Sequence, residues 1–192
     1  MNTAEPTDSL SRYVQIFDGA FSPALCEKMI QSFHSLERFQ RPNGRGVRPG
    51  HEESGWTELN LDPLSDAAFR VMILENMHRH AALYNQALNQ PIALPMTDKI
   101  SELVMKRYRT TGDEGFQLHF DSIGEKANRY LVFLWYLNDV TEGGGTAFPE
   151  LGISVQAKAG RLVIFPPYWM FQHIGQQPVS NDKYILSTYF LF

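Results

Sequence analysis

The sequence predicts a mainly β fold with N-terminal helices, built around a double-stranded β-helix (jelly roll) with the helices packed on one sheet. Short extended segments separated by glycine-containing turns fill the chain from Ile100 onward, and apolar residues at helical spacing are confined to the first half. Many short strands with turns between them are typical of a β-sandwich or jelly roll. The predicted strands are 100–109, 115–120, 129–138, 152–156, 161–165, 170–174 and 183–191.

The first half of the chain holds two predicted helices and a long connection. A short strand at 13–17 precedes Ser22-Pro23, a favourable N-cap and first-turn pair for a helix. The connection at 39–57 contains several glycines, prolines and charges, so we expect a loop that is either a lid or disordered. A second helix is predicted from about 64 to 88, with one apolar face formed by Ala67, Val71, Leu74, Met77, Ala81, Tyr84 and Leu88.

Composition excludes several classes of partner. The net charge of −4 provides no basic surface for nucleic acid or an anionic membrane. The longest apolar run, 130–137, is far shorter than the roughly 20 residues of a membrane helix. The first ten residues lack the features of a signal peptide, and the single cysteine fits a reducing compartment. We therefore expect a cytoplasmic location, and the sequence makes no prediction of oligomeric state.

Three side chains form a candidate metal site. His119 and Asp121 lie two apart on a predicted strand, so they emerge on the same face. Such a pair also occurs as an ordinary hydrogen-bonded contact, and a third ligand is needed. The best candidate is His173, which follows the apolar run 161–166. Two imidazoles and one carboxylate form the facial ligand set of non-haem iron(II) oxygenases, which leaves three coordination positions open.

A lysine and two tyrosines are candidates for binding a co-substrate. Lys183 lies ten residues after His173, at the start of an otherwise apolar strand. It is either a solvated strand-end cation or the partner of the far carboxylate of a 2-oxo dicarboxylate that chelates the iron. Tyr108 and Tyr136 are further candidates, because phenol hydroxyls donate hydrogen bonds to carboxylates in apolar pockets.

The segment 105–192 resembles the 2-oxoglutarate/iron(II)-dependent dioxygenase superfamily, specifically its prolyl 4-hydroxylase-like branch. The blocks that carry the resemblance are Lys106-Arg107-Tyr108, His119-Phe120-Asp121, the strand 129–140, the glycine-rich turn 142–149, the segment 160–166 and the stretch from His173 to Lys183. The glycine-rich turn follows the family pattern only approximately, and we expect it to be structural. Val132 stands where many relatives have a threonine, so another group must supply that co-substrate hydrogen bond or the bond is missing.

The resemblance implies cofactors, residue roles and a domain layout. His119, Asp121 and His173 would bind Fe(II), and Lys183, Tyr108 and Tyr136 would contact 2-oxoglutarate. O2 would be the second co-substrate, and ascorbate is a candidate stimulant. One domain would span 1–192, with a helical support region at 1–98 that includes the lid at 39–57, and a jelly-roll catalytic core at 99–192.

The resemblance also implies a reaction. Because Asp121 occupies the position that a halogenating relative would leave vacant, hydroxylation is the expected outcome. The branch favours a prolyl residue of a peptide or protein as substrate. A free amino acid or other small molecule is one alternative, and a non-catalytic metal-binding jelly roll is another. Within the predicted lid, Arg41, Arg45, Arg48 and Trp56 are candidates for gripping a peptide.

Overall fold

A computed structural model describes residues 10–192 of the chain, so most of the N-terminal segment from which the lack of a signal peptide was predicted lies outside the described residues. Two helices and eleven strands follow one another along these residues. The helices are α1 (Pro23–Ser35) and α2 (Ala67–Leu88). The strands are β1 (Gln15–Phe17), β2 (Arg41–Gly44), β3 (Gly55–Asn60), β4 (Val104–Tyr108), β5 (Phe116–His119), β6 (Arg129–Tyr136), β7 (Thr146–Phe148), β8 (Ile153–Val155), β9 (Leu162–Phe165), β10 (His173–Gly175) and β11 (Lys183–Leu191).

The strands form two antiparallel sheets. The main sheet has seven strands in the order β1-β9-β6-β11-β4-β3-β2, and the second sheet has four in the order β5-β10-β7-β8. The mainly β character with antiparallel sheets and two helices is therefore confirmed. No helix within residues 10–192 is long and apolar enough to cross a membrane.

Side-chain caps fix where the helices begin. Ser22 accepts a hydrogen bond from the backbone N–H of Leu25, and Asp66 accepts one from the backbone N–H of Phe69. Both are N-cap interactions that satisfy otherwise unpaired donors of the first turn. The second helix thus begins at Ala67 and not at 64, because Asp66 is its N-cap residue and has an extended backbone conformation.

The predicted apolar face of α2 is only partly correct. Val71 was expected to be buried but is 54% exposed, whereas Ile73 and His80 are buried. The buried face of the helix is therefore rotated toward a stripe that includes a polar side chain, Asn76. The spacing of apolar residues alone could not identify this stripe, because Asn76 is polar and its burial is made possible by its hydrogen bonds.

The main sheet is covered on both faces, and this gives the fold its layers. Alternate residues of β6 point to opposite sides. Phe133 and Trp135 pack with both helices, and Val132 and Leu134 belong to the cluster that faces the second sheet. The expectation that the helices pack on one sheet is confirmed, and the functional side chains lie on the opposite face of that sheet.

The segment 39–57 is not the continuous loop that we expected. Residues 41–44 form β2, which pairs with β3 and is an edge strand of the main sheet. Proline is tolerated on such an edge, since its missing N–H faces away from the ladder, and this explains Pro42 within β2. The connecting residues 45–54 are anchored to β5, because the Gln117 side chain accepts from the Glu53 N–H and donates to the carbonyl of Gly50.

A strand of the second sheet was missed, and another was shifted. β7 was read as part of the glycine-rich turn, because it spans only residues 146–148. Gly143 in that turn has φ 68°, and a Cβ there would collide with the carbonyl oxygen of Gln177, so only glycine fits. The predicted strand 170–174 starts later, at His173, because residues 169–171 form a 3₁₀ turn.

We expect Asn76→Ala to destabilise the protein. The Asn76 side chain donates to the carbonyl of Ala20 at 2.7 Å and accepts from Trp135 Nε1 at 3.2 Å. The substitution leaves both partners buried without a hydrogen bond, which costs about 1–3 kcal/mol. Urea unfolding of the variant measures this loss. Glu75→Ala, at the exposed neighbouring position, is the matched control and should stay within about 0.5 kcal/mol of the wild type. Equal stability of both variants would contradict the role of Asn76.

Candidate metal centre and co-substrate pocket

Strand pairing brings the three predicted metal ligands together. His119 is the last residue of β5, and His173 is the first residue of β10. These two strands are antiparallel neighbours in which His119 and His173 are direct partners. Asp121 follows two residues after His119, and its backbone N–H donates to the carbonyl of Pro167. Ligands that are far apart in the sequence therefore meet at one end of the second sheet.

The geometry of the cluster suits one metal ion. The candidate ligand atoms of His119, Asp121 and His173 all lie within 4.8 Å of one another. Asp121 Oδ1 is 3.8 Å from His119 Nε2, and Asp121 Oδ2 is 3.6 Å from His173 Nε2. Each Nδ1 faces a backbone carbonyl, that of Gln117 at 2.8 Å and that of Phe171 at 3.1 Å. With Nδ1 as the donor, each Nε2 presents a lone pair toward the cluster.

The carboxylate of Asp121 has one satisfied and one unsatisfied oxygen. Oδ1 accepts a hydrogen bond from the Tyr189 hydroxyl at 2.8 Å. Oδ2 is buried and has no hydrogen-bond partner among residues 10–192. A buried, unpaired acceptor is costly and calls for a partner such as a bound ion. Two neutral imidazoles and one carboxylate fit Fe(II), so the donor set and the unpaired oxygen both agree with an iron site.

The environment holds the cluster in its metal-binding protonation state. Burial, reinforced by His173, lowers the pKa of His119 to about 3. Burial likewise lowers the pKa of His173. Burial opposes the ionisation of Asp121, but His173 and His119, in their protonated forms, and the Tyr189 hydrogen bond outweigh it and lower the pKa of this carboxyl. At neutral pH the histidines are neutral and the aspartate is charged, as metal binding requires.

A pocket extends from the cluster to a buried lysine. Lys183 is the first residue of β11, is only 2% exposed, and forms no salt bridge with any residue in the described range 10–192. Its Nζ lies 4.9 Å from the ring centroid of Tyr108, its cross-strand partner. Burial, together with the nearby charge of Lys106, lowers the pKa of Lys183 to about 7. The reading of Lys183 as a solvated strand-end cation is therefore wrong, because the strand end is covered.

The two predicted tyrosines differ in position. Tyr108 is buried and lines the pocket between Lys183 and the cluster. Tyr136 is also buried but does not line the pocket, because its hydroxyl donates to Thr146 Oγ1 at 2.6 Å. Thr146 does line the pocket, so Tyr136 reaches it only through that side chain. The glycine-rich turn thus places a polar group in the pocket as well as having a structural role.

Sequence reasoning did not single out several pocket residues. Tyr189 and Ser187 share one face of β11 with Lys183, and Lys106 precedes Tyr108 by two on β4. The strand period of two, applied backward and forward from Lys183 and Tyr108, would have found all three. Phe116 stacks on His119 with ring centroids 3.8 Å apart. That contact depends on a three-dimensional arrangement that no spacing in the sequence reveals.

Beyond the metal ligands the pocket opens into a surface cleft. Arg48 and Trp56 line this cleft, whereas Arg41 and Arg45 do not. His51, another lining residue, packs 5.4 Å from the ring of Phe116. The 45–54 loop therefore borders the entrance to the site, and its movement as a lid stays a prediction.

Part of the chain matches a known family. Residues 103–191 match the model of the 2OG-Fe(II) oxygenase superfamily. Prolyl 4-hydroxylase subunit alpha-2 of Gallus gallus is 28% identical over 121 residues, which are 59% of this chain and 19% of that protein. The chain spans less than a fifth of the length of the curated relatives that it matches.

Solved structures share the fold at low sequence identity. A prolyl hydroxylase from Trichoplax adhaerens, in complex with a hypoxia-inducible factor peptide fragment, has a TM-score of 0.68 at 12% identity and covers 94% of this chain and 84% of its own. The viral collagen prolyl hydroxylase of Paramecium bursaria Chlorella virus-1, in complex with 2OG, has a TM-score of 0.59 at 19% identity, covering 92% of this chain and 94% of its own.

The matches agree with the geometry of the cluster and with the pocket beside it. The cofactors of this family are Fe(II) and 2-oxoglutarate, with O2 as co-substrate. The matches support the prediction of an Fe(II)/2-oxoglutarate-dependent dioxygenase at the level of the superfamily. Residues 103–191 of this chain resemble the 2OG-Fe(II) oxygenase superfamily, and prolyl hydroxylases are among the proteins to which the chain is similar.

Proposed function

We propose that this protein uses Fe(II), 2-oxoglutarate and O2 to hydroxylate a prolyl residue of a peptide or protein. One observation carries the proposal: a single pocket is lined by a His–Asp–His cluster and by a buried lysine that has no salt-bridge partner within residues 10–192. We also infer that the two sheets, which share the core that includes Val132 and Phe148, form a double-stranded β-helix.

In this proposal His119, Asp121 and His173 hold the iron. Two imidazoles and one carboxylate would leave positions on the metal for a chelating 2-oxo acid and for O2. When bound, the metal and its co-substrates supply the oxidant that inserts one oxygen atom into a C–H bond, while 2-oxoglutarate becomes succinate and carbon dioxide. The chain holds the ligands, orients the substrate and keeps water from the pocket.

Lys183 is the proposed partner of the far carboxylate of 2-oxoglutarate. A buried ammonium without a counter-ion is unfavourable, and a carboxylate bound beside it removes that cost. Tyr108 lines the path between Lys183 and the metal. Val132 also lines the pocket, where relatives have a threonine, and buried Ser187 lies on the adjacent strand in the same pocket. We propose that Ser187 supplies the hydroxyl that Val132 lacks.

The cleft favours a peptide over a free amino acid. It is open to the surface and runs from the loop at 45–54 past the metal ligands to the turn at 124–126. Two exposed apolar side chains, Leu118 and Ile123, line it and could contact residues that flank the target. The relatives named as prolyl hydroxylases, one of them bound to a peptide fragment, support the same class of substrate.

Two alternatives remain distinguishable. The same chemistry on a free amino acid or other small molecule would leave most of the cleft unused. A non-catalytic metal-binding module would need the three ligands but not a buried lysine that lacks a counter-ion. The position of Lys183 therefore favours the enzyme.

Removal of the carboxylate ligand should abolish tight metal binding. In Asp121→Ala we expect Co(II), an oxygen-inert substitute for Fe(II), to bind at least about 100-fold more weakly, since a lost ligand costs more than a lost outer partner. Isothermal titration calorimetry measures the affinity. Asp98→Ala removes an aspartate that pairs with His78 at 3.3 Å, outside the cluster, and should bind Co(II) like the wild type. Unchanged affinity in Asp121→Ala would contradict the metal assignment.

Lys183 should make 2-oxoglutarate binding depend on pH. In the protein without 2-oxoglutarate the pKa of Lys183 is lowered to about 7, so the lysine is charged below pH 7 and loses its proton above it. The bound carboxylate favours the charged form, so affinity should be flat below pH 7 and fall by up to about tenfold per pH unit above it. Calorimetric titration of the Co(II)-loaded protein at pH 6.5 and 8.5 would measure this change.

Two variants separate this effect from other sources of pH dependence. Lys183→Ala removes the charge and should weaken 2-oxoglutarate binding at least about 30-fold at pH 6.5. Lys183→Arg keeps a permanent charge and should lose the pH dependence. Wild-type affinity for 2-oxoglutarate in Lys183→Ala at pH 6.5 would exclude Lys183 as the partner of the carboxylate.

Proline-containing peptides should gain one oxygen atom. We expect the Fe(II)-loaded protein to convert 2-oxoglutarate to succinate faster when a substrate peptide is present, and mass spectrometry should locate the added oxygen on a prolyl residue. Matched peptides with alanine in place of proline are the control. Oxygen added to free amino acids but to none of the peptides would favour the small-molecule alternative.

A further inference from the structure

We propose that Tyr189 is a positioning residue of the iron site, whose hydroxyl holds Asp121 Oδ1 so that the carboxylate binds the metal through Oδ2 alone. The inference rests on the proposed function, because it requires His119, Asp121 and His173 to hold the metal. It adds a residue that orients one ligand and sets how many coordination positions that ligand takes.

The Tyr189 hydroxyl is fixed by packing before any metal binds. Tyr189 is 9% exposed and lies on β11 opposite Val132, in the cluster between the two sheets. The guanidinium of Arg129 lies over its ring, 3.7 Å from the centroid. Held in this way, the phenol presents its hydroxyl to Asp121 Oδ1 at 2.8 Å. The donor is therefore placed by its surroundings and does not depend on the ligand that it contacts.

The main chain of Asp121 is fixed independently. Its N–H donates to the carbonyl of Pro167 at 3.0 Å, and its carbonyl accepts from Arg129 at 3.5 Å. The remaining freedom is rotation of the side chain, which decides which oxygen receives the Tyr189 hydrogen bond and which is left for the metal. With Oδ1 engaged by Tyr189, Oδ2 is the oxygen without a donor, 3.6 Å from His173 Nε2.

This arrangement has a consequence for coordination. A carboxylate can bind a metal through one oxygen or through both. If Asp121 used both, it would take one of the three positions that 2-oxoglutarate and O2 need. A hydrogen bond from Tyr189 satisfies Oδ1 and makes it a poorer ligand, so the carboxylate stays monodentate. Tyr189 thereby keeps the third position open.

The test compares two tyrosines of the same strand. Tyr189→Phe keeps the ring and removes only the hydroxyl. We expect its Co(II) affinity to fall by about 10-fold or more, as for other hydrogen-bond partners of metal ligands. Tyr184→Phe is the matched control, because the Tyr184 hydroxyl contacts His34 Nε2 at 3.1 Å on the helix side of the main sheet. That variant should bind Co(II) within twofold of the wild type.

A spectroscopic readout separates positioning from a general loss of structure. The visible absorption of protein-bound Co(II) weakens as its coordination number rises, so Tyr189→Phe should absorb less per bound ion than the wild type. Unchanged affinity or an unchanged spectrum in Tyr189→Phe, with normal Co(II) binding by the wild type, would overturn this inference alone. Failure of the wild type to bind Co(II) would overturn both the inference and the proposed function.

Discussion

The antiparallel pairing of β5 with β10 is the constraint on which the rest of the site depends. It places His119 opposite His173 and leaves Asp121, just past the end of β5, beside both rings. Because side chains alternate across a strand, a slip of one residue in this register would turn one imidazole away from the cluster. The register is supported from outside the sheet, since the loop at 45–54 holds the Gln117 side chain, and the backbone carbonyl of Gln117 accepts from His119 Nδ1.

Two of the pocket's polar groups are incompletely satisfied within residues 10–192. Asp121 Oδ2 is a buried acceptor without a hydrogen-bond donor, and the buried Lys183 ammonium has no salt-bridge partner. Burial of such groups costs free energy, which the two extensive apolar clusters on the faces of the main sheet offset. The two groups require bound partners of opposite charge. In the proposed function, a cation at Asp121 and a carboxylate at Lys183 would satisfy both groups.

Local pattern in the sequence was enough to predict much of this arrangement. The two-residue spacing of His119 and Asp121 correctly predicted that they lie side by side, although β5 ends at His119, and the predicted strand 129–138 corresponds to β6. Features that depend on tertiary contacts were missed. β2 was missed because it contains Pro42, which a strand tolerates only at the edge of a sheet. Val71 was wrongly expected to be buried, because the buried face of α2 includes Asn76, whose polar groups are hydrogen-bonded inside the core. The contact of Tyr189 was missed for the same reason, since its hydrogen-bond partner, Asp121, lies just past the end of another strand.

A crystal structure of the protein with Mn(II) and 2-oxoglutarate tests the central claim most directly, because anomalous scattering locates the metal without ambiguity. The account predicts one Mn(II) bound by Nε2 of His119, Nε2 of His173 and a single carboxylate oxygen of Asp121, with the far carboxylate of 2-oxoglutarate against Nζ of Lys183. Metal bound away from these three side chains, or a co-substrate whose far carboxylate lies away from Lys183, would contradict it.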